Sequence, residues 1–212
     1  MTTKLWEASK NQKNNSNLFR YENFLNQKYK IRFNKNYLKL HGWSVKNCEK
    51  FWNSIWDFSN IKGKKIKKFY KSKELFKNRF FLNSKLNFAE NLLSKNDNSK
   101  AITFISENGY KEIRKWNELN INVEKISFYL KKINIKEKDR VVAYLPNLIE
   151  TVESFLATAS IGAIWSSCSP DFGVNGVIER FAQIKPKVLI LCDRYYYNGK
   201  EINVVNRLSN IL

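Results

Sequence analysis

The chain has 212 residues, which is enough for one large domain or for one domain with an appendage. Aromatic residues make up 15% of it and apolar residues 43%, so a wholly disordered chain is excluded. The net charge of +19 suggests an anionic partner, but Lys outnumbers Arg by 30 to 8. Asn, Ile, Phe and Tyr are plentiful too, so AT-rich coding explains much of the charge.

The cysteines and the chain start bear on the compartment. Cys48, Cys168 and Cys192 lack CxxC spacing, which argues against a disulfide framework or a zinc site. The polar start MTTKLWEASK has no apolar signal region, and no apolar run approaches the ~20 residues of a membrane span. These features predict a cytoplasmic protein in a reducing compartment, with no membrane partner.

The first ninety residues are rich in aromatic helix faces. One face runs from Phe19 to Tyr29, and Asn47 is placed to cap a second helix that carries Phe51 and Trp56. We therefore predict a helical, aromatic-rich N-terminal domain. A strongly basic segment follows, residues 62–77, and it has two interpretations. It is either a solvated loop or frayed helix, which we favour, or a phosphate-binding patch for nucleic acid.

A polar break separates this region from the rest. Asn87, with Glu90 three residues later, predicts a capped helix over 86–93. The polar run 95–100 that follows is the best internal boundary. We expect domains at 1–95 and 96–212.

Beyond the break, apolar runs alternate between strand and helix patterns. Asn147, followed by Glu150, is predicted to cap the central helix. In chain order we predict strand 101–105, the hairpin turn Glu107-Asn108-Gly109, strand 111–116, helix 119–133, strand 141–145, a helix ending at Gly162, strand 163–168, helix 174–182 and strand 187–192. The connections are long enough for parallel crossovers, so this region is α/β with a mostly parallel sheet.

The final segment predicts one more helix. Val204, Leu208 and Ile211 would share a face of it, and no closing strand follows. A parallel sheet is normally covered on both faces. The pattern is therefore typical of part of a domain.

Polar residues gather where the predicted parallel strands end. The three loops are Pro146-Asn147, Ser169-Pro170-Asp171, and Asp193 with residues 197–200. Because ligands bind beyond the carboxyl ends of such strands, we expect the loops to form one site. Ser169 and Pro170 could alternatively just start a helix, whose N-terminus would also attract an anion. Lys200 beside Gly199 suggests a phosphate contact.

Several kinds of site are missing from the sequence. It has no GxxxxGK[ST] and no GxGxxG, so it contains no self-contained triphosphate cradle. His41 is the sole histidine, which excludes a histidine metal cluster.

One long run of residues is specific enough to indicate a family. The run ATASIGAIWSSCSPDFG (157–173) is supported by LNFAENLL (86–93), YLPN (144–147), RFAQIKPKVLI (180–190) and YNGK (197–200). With these motifs the chain resembles, almost end to end, the N-terminal part of the acetoacetate–CoA ligases, which are acyl-adenylate-forming ligases. The resemblance implies an acetyl-CoA-synthetase-type helical domain at 1–95 and part of the AMP-binding domain at 96–212.

The resemblance also implies a reaction and its cofactors. In these ligases an acid and ATP give an acyl-adenylate and pyrophosphate, and the thiol of CoA then displaces AMP, with Mg²⁺ as the usual metal. By alignment, Ser169, Pro170 and Asp171 line the pocket for the CoA nucleotide. Tyr197, Gly199 and Lys200 approach the phosphates of CoA. The resemblance places no catalytic residue and no metal ligand on this chain.

The chain also departs from the family. The Ser/Thr/Gly-rich phosphate loop, the C-terminal lid and the adenylation lysine are absent, so we predict no acyl-CoA formation by this chain alone. A separate chain could complete the domain. Two other functions stay open: a nucleic-acid-binding module that uses residues 62–77, and a non-catalytic interaction subunit that completes its sheet with a partner.

Overall fold

A computed structural model describes residues 5–210, without the side chains of residues 75 and 208–210. The chain divides into two compact units. We call them the N-terminal unit, which ends at Leu86, and the C-terminal unit, which begins at Asn87. The domain bounds that we predicted from the sequence, 1–95 and 96–212, stay a prediction. Among residues 5–210, no helix combines the length and apolar character that a membrane span requires.

The N-terminal unit is helical, as predicted, but has more helices than the two that the sequence indicated. They are α1 (Lys10–Asn15), α2 (Asn17–Tyr29), α3 (Tyr37–Lys46) and α4 (Cys48–Phe58). The core lies between α2, α3 and α4 and includes Tyr21, Leu25 and Leu40. The Tyr21 hydroxyl lies 2.6 Å from Ser54 Oγ, which satisfies both buried groups. Asn47 stands at the start of α4, but its side chain donates to the Trp43 carbonyl rather than capping α4.

The basic segment 62–77 is folded back rather than loose or helical. Backbone bridges join Lys64 to Lys85 and Tyr70 to Arg79, and a single turn of 3-10 helix, Leu75–Lys77, lies between them. The ammonium of Lys65 is 2.6 Å from Asp57 Oδ1 at the end of α4. The predicted frayed helix is therefore wrong, whereas the alternative of a largely exposed loop agrees with the structure. Two backbone bridges and the Lys65–Asp57 ion pair hold this loop in place.

The C-terminal unit begins with a short helix and a hairpin. Asn87 caps α5 (Phe88–Leu92) by accepting the Glu90 N–H, as predicted. Strands β1 (Lys100–Ile105) and β2 (Lys111–Lys115) pair antiparallel around the predicted turn, and α6 (Trp116–Lys132) follows. The Asn-Gly turn signal is confirmed.

A three-stranded parallel sheet forms the centre of this unit. It contains β3 (Arg140–Tyr144), β4 (Ile164–Cys168) and β5 (Val188–Leu191), joined through α7 (Ile149–Ser160) and α8 (Val174–Ala182). The order is β4-β3-β5, so β3 is buried between its neighbours. Successive β3 side chains serve opposite cores: Val141 packs in the core with α6 and α7, and Val142 packs in the core with α8. The predicted α/β fold with flanking helices is confirmed.

The chain after β5 forms a hairpin instead of the predicted helix. Strands β6 (Arg194–Tyr197) and β7 (Lys200–Asn203) pair antiparallel, and the 3-10 helix Val205–Asn210 follows. Alternation in this segment buries Tyr195 and Val204 in the core with α8. The predicted helix is wrong at 201–203, which lie in β7, and residues 205–210 form a 3-10 helix rather than an amphipathic α-helix. Ile211 lies outside the described residues.

Candidate functional site

The three parallel strands end level with one another. In the register of the sheet, Tyr144 of β3 lies opposite Cys168 of β4 on one side and Leu191 of β5 on the other. The loops that follow these strands consequently begin at one edge of the sheet. The sequence prediction of a common edge is confirmed, although the position of β3 in the middle was not foreseen.

The residues between β4 and α8, which we call loop 169–173, form a compact turn. The Ser169 hydroxyl donates to Asp171 Oδ2 at 2.7 Å, and the Phe172 N–H donates to the Ser169 carbonyl at 3.1 Å. Helix α8 begins only after Gly173, with no side-chain cap. The helix-start roles considered for Ser169 and Pro170 are therefore wrong, because the Ser169 hydroxyl is used within the loop.

A buried tyrosine at the end of β3 is hydrogen-bonded to the backbone of this loop. The Tyr144 hydroxyl lies 2.9 Å from the Pro170 carbonyl and 2.8 Å from the Phe172 carbonyl, and its single hydrogen is shared between them. Arg207 Nη1 donates to the same hydroxyl at 2.9 Å and to the Pro170 carbonyl at 2.8 Å. Tyr144 and Arg207 thus fix the backbone of loop 169–173, and neither was predicted as a site residue. A lone Tyr within the aliphatic run VVAYL was the available signal, since a buried hydroxyl needs partners.

The hairpin of β6 and β7 touches the loop through a second tyrosine. The Tyr195 hydroxyl donates to Asp171 Oδ1 at 3.2 Å. Burial, then the hydrogen bond to the Asp171 carboxylate, raise the pKa of Tyr195 above its ordinary value, so the hydroxyl stays protonated. Both Asp171 oxygens are thereby engaged, one by Ser169 and one by Tyr195, and the carboxylate is a fixed acceptor at the base of the hairpin.

The tip of this hairpin has the geometry of a type I′ turn. Its central residues, Asn198 and Gly199, have φ of 52° and 70°, which suits the twist of a two-residue hairpin. Their N–H groups lie outside the strand ladder. Both donate instead to one carboxylate, that of Glu107 in the β1–β2 turn, with distances of 3.0 Å to Oε2 and 2.9 Å to Oε1.

The predicted site residues therefore form two groups on one edge. Ser169, Pro170 and Asp171 lie in the loop, while Tyr197, Gly199 and Lys200 lie at the hairpin tip. Tyr195 pairs with Ile202, two residues from Lys200, so the groups are separated by roughly 7 Å of strand. Lys200 is exposed, and no carboxylate in the described part of the chain forms an ion pair with its ammonium.

An open cleft of about 830 Å³ lies beside the hairpin. It is lined by the β1–β2 turn with Glu107, by the turn after β3 with Asn147, and by Arg194 and Tyr196 of β6. Asn147 lines this cleft and does not cap α7, whose first cap position is Leu148, so that predicted role is wrong. Arg194 is paired with Asp193 and Glu201, which leaves Lys200 as the less committed cation of the hairpin.

Among residues 5–210, no group of three or more His, Cys, Asp or Glu side chains is arranged to hold a metal ion. The hairpin tip carries two backbone amides, which donate to Glu107, and one exposed ammonium, and donors of these kinds can serve an anion.

Residues 93–210 match the family model described as AMP-binding enzyme. The acetoacetyl-coenzyme A synthetase of Rhizobium meliloti is 42% identical over 176 residues, which are 82% of this chain and 27% of that protein. The acetoacetyl-CoA synthetase of Gallus gallus is 42% identical over 184 residues, covering 84% of this chain and 27% of that protein. Among solved structures, the acetoacetyl-CoA synthetase from Streptomyces lividans superposes with a TM-score of 0.90 at 27% identity, over 99% of this chain and 33% of that one.

Proposed function

This chain belongs to the AMP-binding enzyme family, and we propose that it is the N-terminal part of an ATP-dependent acetoacetate–CoA ligase, where it contributes to the coenzyme A site. The chain spans about 27% of the length of the curated relatives that it matches. The complete reaction is therefore proposed for a whole enzyme, of which this chain is one part. The observation that carries the proposal is the common edge at which loop 169–173 meets the hairpin of β6 and β7.

The proposed reaction has two steps. A carboxylate oxygen of acetoacetate attacks the α-phosphorus of ATP, which forms acetoacetyl-adenylate and expels pyrophosphate. The thiol of CoA then attacks the acyl carbon, loses its proton, and releases AMP as acetoacetyl-CoA forms. The part assigned to this chain is to hold the nucleotide end of CoA during the second step.

The residues at the edge suit such a ligand. Lys200 supplies a positive charge, and the amide pair at Asn198 and Gly199 supplies donors for a phosphate oxygen. Ser169 and Asp171 bring a hydroxyl and a carboxylate to the base of the hairpin, where a sugar or a base can be hydrogen-bonded. Tyr197 presents an exposed aromatic ring at the tip.

We assign no contact with ATP or Mg²⁺ to this chain. The sequence contains neither a glycine-rich phosphate loop nor a Walker-type lysine motif, and these are the usual means of holding a triphosphate. We expect the purified chain to release no pyrophosphate in the presence of acetoacetate and ATP. Acetoacetate-dependent release of pyrophosphate would overturn the assignment of only a partial site to this chain.

Calorimetric titration of the purified chain with CoA tests the proposed coenzyme contact. Lys200→Ala is expected to weaken CoA binding by about tenfold, because a charge-assisted contact with phosphate is worth on the order of 1–2 kcal/mol. Lys125→Ala, which removes an exposed lysine from α6, is the matched control and should leave the affinity unchanged. Absence of CoA binding by the chain, or equal losses in both variants, would count against the proposal.

A further inference from the structure

The hairpin tip is already engaged by an anion of the chain itself. Each oxygen of the Glu107 carboxylate accepts one N–H of the turn, at 2.9 and 3.0 Å, so the contact is a two-pronged one. The two donors belong to successive residues, Asn198 and Gly199. Successive backbone N–H groups in such a turn form a concavity that favours anions. The carboxylate therefore stands where a phosphate oxygen pair would fit.

We propose that Glu107 is an internal competitor for the coenzyme phosphate: it holds the amide pair of the hairpin tip until a phosphate group displaces it. This inference rests on the proposed coenzyme site and adds a residue to it from a different hairpin. Glu107 then sets the affinity of the site, and it distinguishes a strongly charged phosphate from a weaker anion.

The charges at the tip favour this exchange. A phosphate monoester carries more negative charge than a carboxylate and offers three oxygens rather than two. Lys200, which immediately follows Gly199, is free to add its ammonium to a phosphate. No ammonium or guanidinium in the described residues forms an ion pair with Glu107. The carboxylate thus loses two amide contacts on displacement and no ion pair.

The cost of releasing Glu107 is also small. Glu107 is exposed and lines the open cleft, so its carboxylate is hydrated rather than buried once it is displaced. The contact is intramolecular, however, so Glu107 competes at a high effective concentration. Removal of the carboxylate should consequently strengthen phosphate binding without any new contact.

The test compares Glu107→Ala with the wild-type chain in two measurements. Titration calorimetry with CoA is expected to show about 3–10-fold tighter binding for Glu107→Ala, as loss of a charge-assisted intramolecular competitor predicts. In ¹H–¹⁵N NMR, the amide signals of Asn198 and Gly199 should shift on the substitution itself. They should then respond to inorganic phosphate at lower concentrations than in the wild-type chain.

Glu124→Ala is the matched control, because it removes an exposed carboxylate of α6 and changes the net charge equally. Glu107→Gln keeps the side-chain size and removes only the charge, so it serves if the alanine variant folds poorly. An equal gain in CoA affinity for the Glu107 and Glu124 variants would refute the competitor role. The competitor role would also be refuted if the amide signals of Asn198 and Gly199 shifted neither on the substitution nor on addition of phosphate.

The two proposals fail in different ways. If neither chain binds CoA while phosphate still shifts the tip amides at lower concentrations in Glu107→Ala, the coenzyme site is wrong, and Glu107 competes with phosphate but not with the coenzyme. If the wild-type chain binds CoA and the Glu107 variants bind it equally well, the coenzyme site stands and the competitor role is wrong.

Discussion

The hydroxyl of Tyr144 joins three parts of the C-terminal unit at one atom: the end of β3, two carbonyls of loop 169–173 and the guanidinium of Arg207. Tyr144→Phe keeps the ring and removes these bonds. We expect it to lower the free energy of unfolding by about 1–2 kcal/mol, since the Phe172 carbonyl loses its donor and the Arg207 guanidinium loses an acceptor. Urea unfolding measures the loss, and amide hydrogen exchange should rise in loop 169–173.

Tyr196→Phe is the matched control for this change. Tyr196 lies on the exposed side of β6 and donates to Glu201, so its hydroxyl is replaced by water without cost. We expect its effect to stay within about 0.5 kcal/mol. Equal effects of the two substitutions would show that the bonds of Tyr144 do not hold the loop.

Asp57 is the corresponding polar centre of the N-terminal unit. Its carboxylate accepts from Lys65 Nζ at 2.6 Å, from the Tyr29 hydroxyl at 2.8 Å and from Lys28 Nζ at 2.9 Å. Asp57→Asn should lower the free energy of unfolding by about 1–3 kcal/mol, because the ammonium of Lys65, only 16% exposed, loses its counter-charge. Glu74→Gln breaks the exposed pair with Lys77 and should cost less than about 0.5 kcal/mol.

The destabilisation that we expect from Asp57→Asn depends on pH. Burial by itself raises the pKa of the Asp57 carboxyl, but hydrogen bonds from Lys28, Lys65 and Tyr29 outweigh it and hold the pKa well below its ordinary value. A depressed pKa stabilises the fold above the unfolded value of about 3.9 and less as the pH falls below it. The difference between wild type and Asp57→Asn should therefore shrink steadily below about pH 4 in urea titrations. A constant difference down to pH 2 would contradict this origin.

The site residues that the sequence revealed and those that it concealed differ in a physical way. Ser169, Pro170 and Asp171 stand out because small and polar residues interrupt apolar runs at a strand end. Glu107 was predicted only as part of a turn, since nothing in its neighbours shows that a turn 91 residues later would present two free amides. Arg207 lies in a segment whose apolar spacing predicted a helix, and its partners are the Tyr144 hydroxyl and the Pro170 carbonyl. Neither contact leaves a mark in the sequence.

At the scale of whole elements, two glycines of the N-terminal unit test how the backbone is constrained. A Cβ on Gly42, in the middle of α3, would have no atom within 4 Å. Gly42→Ala should therefore stabilise the helix by about 0.5–1 kcal/mol. Gly63 has φ of +152°, and its Cβ would lie 2.6 Å from the Lys85 carbonyl oxygen.

Gly63→Ala is the opposing member of this pair. The added methyl group must displace the bridge between Lys64 and Lys85, and we expect a loss of about 1–3 kcal/mol. Urea midpoints of the two variants should thus move in opposite directions from the wild type. Movement in the same direction would show that the backbone of residues 63–86 is not held by this bridge.

Helices, strands and turns were predictable where a single local feature of the sequence determines them. The continuous apolar run of β3, the crossover lengths and the Asn-Gly turn each have a single physical cause, and all three were confirmed. Helix α1 is short and polar, and its signal is only the capping box of Ser9 and Gln12. Strand β7 was predicted as the start of a helix because the spacing of Val204, Leu208 and Ile211 suggested a helical face that reached back into it. The burial of Tyr195 and the pairing to β6 decide that segment, and both are tertiary effects.

For the whole molecule, the charge of +19 raises the competing prediction of a nucleic-acid-binding module. The structure already commits part of the basic segment 62–77: Lys65 is held by Asp57 and Lys77 pairs with Glu74. The other lysines of the segment are spread along a folded-back loop. A charge excess of this size binds DNA weakly at low salt whatever its arrangement, through release of counterions from phosphates.

Two pairs of neighbouring lysines can distinguish general electrostatic attraction to DNA from a dedicated nucleic-acid site. Lys67 and Lys68 lie exposed in the basic segment, and Lys131 and Lys132 lie exposed in the last turn of α6. Each pair is replaced by Gln, and retention on duplex DNA is measured between 50 and 200 mM salt. Because both variants remove two charges, general attraction predicts equal losses and a salt slope reduced by about 2 in each. We expect equality. A loss confined to the 67/68 variant would instead make the basic segment a nucleic-acid site, and the charge would then be a functional feature rather than a consequence of composition.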